Sequence, residues 1–92
     1  MQIHIQLFSF IQDCLPAGTN NGRAIITLSH EKTTLSDLVK HLGIDRQLGI
    51  NATDVTSKAG WVMVVNGHAR LDMSYLLQEG DHVKIFPPMA GG

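Results

Sequence analysis

The chain has 92 residues, 43% of them hydrophobic and 16% charged, and a net charge of -1. Such a composition fits one small globular domain with a modest core and excludes a disordered chain. No basic stripe points to nucleic acid and no polybasic cluster to an anionic membrane, and the apolar runs fall far short of the roughly 20 residues that span a bilayer.

Ile3 to Ile11 reads as a strand, because Ile3, Ile5 and Leu7 alternate with His4 and Gln6. Phe8, Phe10 and Ile11 blur the alternation at its far end. Pro16 to Gly22 is a run of turn formers, and Ala24 to Leu28 follows as a β-branched second strand, so the first two strands form a hairpin. The spacing then predicts a helix over Leu35 to Leu42. Thr34 is its N-cap, Asp37 its capping-box partner, and Leu35, Leu38, Val39 and Leu42 its apolar stripe, with Gly43 just past its end. Gly43 to Gly60 is polar and without period, a long connection with a helical turn near Asp45 to Leu48.

Trp61 to Val65 is an apolar strand. Asn66-Gly67 is a strong hairpin signal, since both residues tolerate positive φ, and His68 to Leu71 returns as a short strand. Ser74 to Gln78 reads as a helical turn carrying Tyr75, Leu76 and Leu77. Glu79-Gly80-Asp81 reads as a turn, and His82 to Phe86 as a final strand. This order gives an α+β architecture, a sheet of four to five strands with one main covering helix. The first and last strands are expected to pair in parallel at the centre of the sheet. Residues 1–86 are read as the domain and 87–92 as an extended tail.

The tail is Pro87-Pro88-Met89-Ala90-Gly91-Gly92. Two prolines end the ladder and favour a stiff, extended exit, because neither has an N–H to donate. Side chains then shrink toward Gly91 and Gly92, which removes every Cβ near the last carboxylate. Such an end threads a narrow channel and delivers a chain terminus into another protein's active site. Met89 reads either as an adaptable apolar anchor for a partner groove or as a neutral filler.

These residues carry a resemblance. EGDHVKIFPPMAGG, Glu79 to Gly92, resembles the C-terminal signature of the MoaD and ThiS sulfur carriers, which share the β-grasp fold with ubiquitin. Gly80-Asp81 matches the turn before the last strand. Phe86-Pro87-Pro88 and Gly91-Gly92 match the small subunit of molybdopterin synthase better than the thiamine branch. VVNG, Val64 to Gly67, and TTLSDLVKHLG, Thr33 to Gly43, match the hairpin and the helix. The resemblance implies a β-grasp, ubiquitin-like fold and a carrier rather than an enzyme. An adenylating enzyme related to ubiquitin-activating enzymes would use ATP to activate the Gly92 carboxylate, and a persulfide donor would convert it to a thiocarboxylate. The molybdopterin synthase large subunit would receive the sulfur. It also implies docking through a hydrophobic sheet patch that includes Phe86. Ser9 and Ala69 stand where some members carry larger apolar groups, and the segment before Trp61 is longer than in the shortest members.

Other residues carry less. Cys14 has no partner for an internal disulfide and no arranged base beside it, so it reads as structural. His4, His30, His41, His68 and His82 lack metal-ligand spacing and read as surface residues. Trp61 and Tyr75 read as packing residues, and Asp81 as a turn former. There is no phosphate-binding glycine loop, so ATP is expected to bind the partner. The amino-terminal MQIHIQLFSF lacks a positive segment followed by an apolar one, so no signal peptide is expected and the expected location is the cytoplasm. Competing readings are a sulfur carrier for thiamine, cysteine or another metabolite, a protein modifier joined through Gly92, and a plain interaction module.

Overall fold

Period-two patterning sets the sheet. In a computed structural model, which describes residues 1–15, 22–29, 32–55 and 59–88, β1 (Gln2–Leu7) buries Ile3, Ile5 and Leu7 and turns His4 and Gln6 to the opposite face. It pairs antiparallel with β2 (Arg23–Thr27), Gln2 opposite Thr27 and Gln6 opposite Arg23. Gly22 closes that pairing. Its carbonyl accepts from the Leu7 N–H at 2.8 Å, its φ is +69°, and a Cβ there would collide with the Leu7 carbonyl oxygen. The remaining turn formers, residues 16–21, lie outside the described residues.

The chain continues through α1 (Leu35–Leu42), α2 (Ile44–Leu48), β3 (Val62–Val65), β4 (His68–Arg70) and β5 (His82–Phe86). The sheet order is β2-β1-β5-β3-β4, with β1 and β5 parallel at the centre, as the sequence predicts. Thr34 and Asp37 form the expected reciprocal cap at 3.1 Å in both directions, and Gly43 ends α1 at φ 77°. Leu35, Leu38 and Val39 of α1 pack on Ile3, Ile5, Met63, Val65, Val83 and Ile85, which places the core between α1 and one sheet face.

Three expectations need correction. β1 stops at Leu7 and not Ile11: Ser9 adopts φ 61° and opens a 3-10 turn, Ser9–Cys14, which sends Ile11 into the core. The Gly43 to Gly60 connection carries the expected helical turn, as α2, but it is more than a polar link: its described residues add a 3-10 turn, Ala52–Asp54, and bury Ile44, Ala52 and Val55, so its length supplies a second flank of the core. Ser74 to Gln78 is not a helical turn. Leu76 bridges to Thr34, and the Leu77 N–H donates to the Thr33 carbonyl at 2.8 Å, so this stretch runs extended beside the start of α1 and buries Leu77. The described residues thus hold one main helix, α1, as the sequence suggests, and the short α2, which packs against α1 and the Ser9–Cys14 turn.

Candidate functional site

β5 is central and its last residue, Phe86, leads into the tail. Pro87 is buried and Pro88 half-buried. Pro88 lies over Gly60, which adopts φ +90°; a Cβ on Gly60 would sit 3.2 Å from Pro88 Cβ. The chain is therefore gripped between the loop before Trp61 and the end of the sheet before it leaves the domain. Trp61 is buried beside this loop. Met89, Ala90, Gly91 and Gly92 lie outside the described residues.

At that end of the sheet the uncovered face is apolar. Phe86 stacks on Phe8, ring centres 4.2 Å apart and 11° from parallel, and the Phe8 N–H reaches the Ile85 carbonyl at 3.3 Å. Val62 pairs with Phe86 and is 45% exposed, and Leu71, directly after β4, is 74% exposed. Val64 and Ala69 pair on the adjoining row. The patch thus surrounds Phe86, which the sequence singled out, but Phe8 and Val62 were missed. The parallel pairing of β1 with β5 contains the signal: a register of His4 on His82 sets Phe8 beside Phe86 four residues on. Ser9, at the start of the 3-10 turn, and Ala69 are both exposed and small.

A second feature holds the start of β5. Asp81 is only 6% exposed. Its carboxylate accepts from Asn66 Nδ2 at 2.9 Å and from the Gln78 N–H at 2.8 Å, while Asn66 Oδ1 accepts from the His82 N–H at 2.9 Å. Asp81 is more than a turn former: it ties the β3–β4 hairpin turn to β5. Asn66 has φ 52° and Gly67 φ 83°, as the hairpin requires.

The remaining candidates are spread apart. Cys14 donates its S–H to Gln47 Oε1 at 3.3 Å, far in sequence from the tail. His4 and His82 stack on the uncovered face at 4.2 Å. Tyr75 is half-buried under the Arg70 guanidinium, 4.7 Å from its ring centre. Hydrogen bonds from the Ser74 hydroxyl and N–H hold the Asp72 carboxyl below the usual carboxylate range. Among the described residues no group of three His, Cys, Asp or Glu side chains is placed to hold a metal, and no helix is long and apolar enough to cross a membrane.

The model of the ThiS family matches residues 6–92. Among solved structures, small archaeal modifier protein 1 (SAMP1) from Haloferax volcanii is 19% identical over the whole of both chains with a TM-score of 0.60. Molybdopterin converting factor subunit 1 from Pyrococcus furiosus is 20% identical, with 96% of this chain and 98% of that one covered and a TM-score of 0.65. The complex of subunits 1 and 2 of molybdopterin-converting factor from Helicobacter pylori matches at 20% identity over the whole of both chains, TM-score 0.55. These similarities establish the ubiquitin-like β-grasp fold. No curated protein matches the sequence significantly.

Proposed function

Because the chain belongs to the ThiS family, which makes it a small ubiquitin-like carrier protein and not a catalyst, we propose that its working group is the Gly92 carboxylate, charged with sulfur by partner enzymes. The observation that carries this reading is the seat of the tail. A central strand ends in a gripped Pro87-Pro88 pair beside an apolar face, followed by four residues of falling size. The folded body holds the root of the tail and offers a docking surface next to it.

A carboxylate is a poor acyl donor, and a mixed anhydride with AMP is a good one. An adenylating enzyme using ATP supplies that activation and releases pyrophosphate. Attack by a persulfide sulfur expels AMP, and a thiol then cleaves the acyl disulfide to leave the thiocarboxylate. Its sulfur is the nucleophile that the acceptor reaction consumes. The chain's own contribution is geometric. Gly91 and Gly92 bring no side chain into the partner's channel, and Phe8, Phe86 and Val62 anchor the partner near it. The favoured acceptor system is molybdopterin synthase, with a large subunit seated on the apolar face. Two likenesses support it: the structure of molybdopterin converting factor subunit 1 from Pyrococcus furiosus, and the subunit 1 and 2 complex from Helicobacter pylori. The likeness to a small archaeal modifier protein favours a second use of the same chemistry, transfer of the activated Gly92 carbonyl to a lysine of a target protein.

The test is ATP–pyrophosphate exchange by the adenylating enzyme of the same source organism, with the full chain and with a chain lacking Gly92. Exchange with the first and none with the second is expected. Equal exchange by both contradicts the proposal.

A further inference from the structure

The five strands contain three of the chain's seven Lys and Arg residues (Arg23, Arg70 and Lys84) and three of its five histidines, but none of its eight Asp and Glu residues. Among the described residues the carboxylates lie in helices, turns and loops. On the uncovered sheet face this segregation becomes spatial. Arg23, Gln6 and Lys84 form one row across β2, β1 and β5, since Gln6 pairs with both Arg23 and Lys84. Ile25, His4 and His82 form the next row by the same registers. Together they line a shallow depression of about 490 Å³, and among the described residues no carboxylate lines it. Arg23 and Lys84 are exposed and form no ion pair among the described residues. They stand two strand spacings apart, about 10 Å, close enough for both fields to act on one bound segment at physiological salt.

We propose that these two rows dock an acidic segment of a partner protein, its Asp or Glu side chains lying over Gln6 between Arg23 and Lys84. The neutral amide of Gln6 and the stacked imidazoles of His4 and His82 add hydrogen-bonding groups around the same point. The rows run on without a break from Phe8 and Phe86 toward the opposite end of β5. A partner that covers the apolar patch and receives the tail therefore also lies over this depression. Charge then sets the orientation and rate of its approach, and the apolar patch sets its hold. The identity of that partner rests on the carrier reading; the chemistry of the docking site does not.

Two measurements test it. The ¹⁵N-labelled full chain is titrated with a hexaglutamate peptide and separately with a thymidine oligonucleotide of equal charge. Amide shifts centred on Gln6, Arg23, Ile25 and Lys84 are expected with the peptide. Affinity should fall at least about tenfold in the R23E/K84E variant and stay unchanged in K40E/R46E, which alters charge equally on the helical side. Circular dichroism checks that both variants fold. Shifts spread over all basic residues, equal loss in both variants, or tighter binding of the oligonucleotide at these residues would overturn the proposal. In the second measurement, pyrophosphate exchange by the adenylating enzyme should show a raised KM and unchanged kcat for R23E/K84E. An unchanged KM at low salt would overturn the role in partner docking. Should the unaltered chain support no exchange, the carrier reading fails instead, and the peptide titration still decides the site.

Discussion

Replacing Asp81 by Ala removes the acceptor that holds Asn66 of the β3–β4 turn and the acceptor that holds the Gln78 N–H in the turn before β5. Two hydrogen bonds to a charged group are lost, each worth about 1.5–3 kcal/mol when its donor stays buried. The donors here belong to Gln78 and Asn66, both at exposed positions, so water recovers part of the loss. The expected cost is therefore about 2–4 kcal/mol, near the lower end of the summed range. For 92 residues a total stability of about 5–14 kcal/mol is ordinary, so the midpoint of a denaturant melt should move clearly while its slope stays fixed. Trp61 is the one tryptophan and is buried, which makes its fluorescence a direct reporter. Asn66→Ala breaks the same link from the other side, and the double variant should cost less than the two single changes added together. Additive costs, or a loss below about 0.5 kcal/mol for Asp81→Ala, the scatter typical of neutral surface changes, would refute the idea that these groups act as one tie.

Gly60→Ala should cost about 1–2 kcal/mol, from backbone strain at φ +90° and from pressure on Pro88. Adding Pro88→Gly, which removes the Cβ that the new methyl would press on, should recover the pressure but not the strain; urea melts of the pair, each against its own Pro88→Gly or unaltered parent, check this. Leu38→Ala, at a fully buried site on α1, should lose about 2–5 kcal/mol, and a near-zero change in chemical denaturation would mean that the stripe does not face the core. The Asp72 carboxyl, held low by Ser74, contributes to its turn above its unfolded pKa. That contribution is lost as pH falls through its lowered folded value. Carbon NMR titration should show Asp72 ionising below an ordinary aspartate, and Ser74→Ala should raise it toward normal. An unshifted Asp72 in the unaltered chain would contradict the geometry.

Much of the fold was legible because local and global signals agreed. Thr34, Asp37 and Gly43 marked both ends of α1, and Asn66-Gly67 marked the hairpin. The alternation of Ile3, Ile5 and Leu7, together with Val83 and Ile85, marked two half-buried strands that pair in parallel. The sequence failed where conformation departs from residue preference. Ser9 takes a positive φ that its side chain does not announce, so an apolar run through Ile11 looked like more strand. Ile44, Ala52 and Val55 are core residues on elements too short to show a period. Tyr75, Leu76 and Leu77 look helical, but their backbone is taken by Thr33 and Leu35: the Leu77 N–H donates to the Thr33 carbonyl and the Tyr75 carbonyl accepts from the Leu35 N–H. At the site, Phe86 and the tail were visible as a contiguous motif. Phe8 and Val62 come from other strands, and the Arg23–Gln6–Lys84 row exists only once the register is fixed.

The central claim is that the Gly92 carboxylate is the group that carries sulfur. Intact-mass and C-terminal peptide spectrometry of the protein taken from its own cells addresses it directly. A terminal peptide ending at Gly92, with one carboxylate oxygen replaced by sulfur, is the predicted result. A chain that continues past Gly92, or one that stays an unmodified carboxylate while the sulfur-using pathway is active, would contradict it.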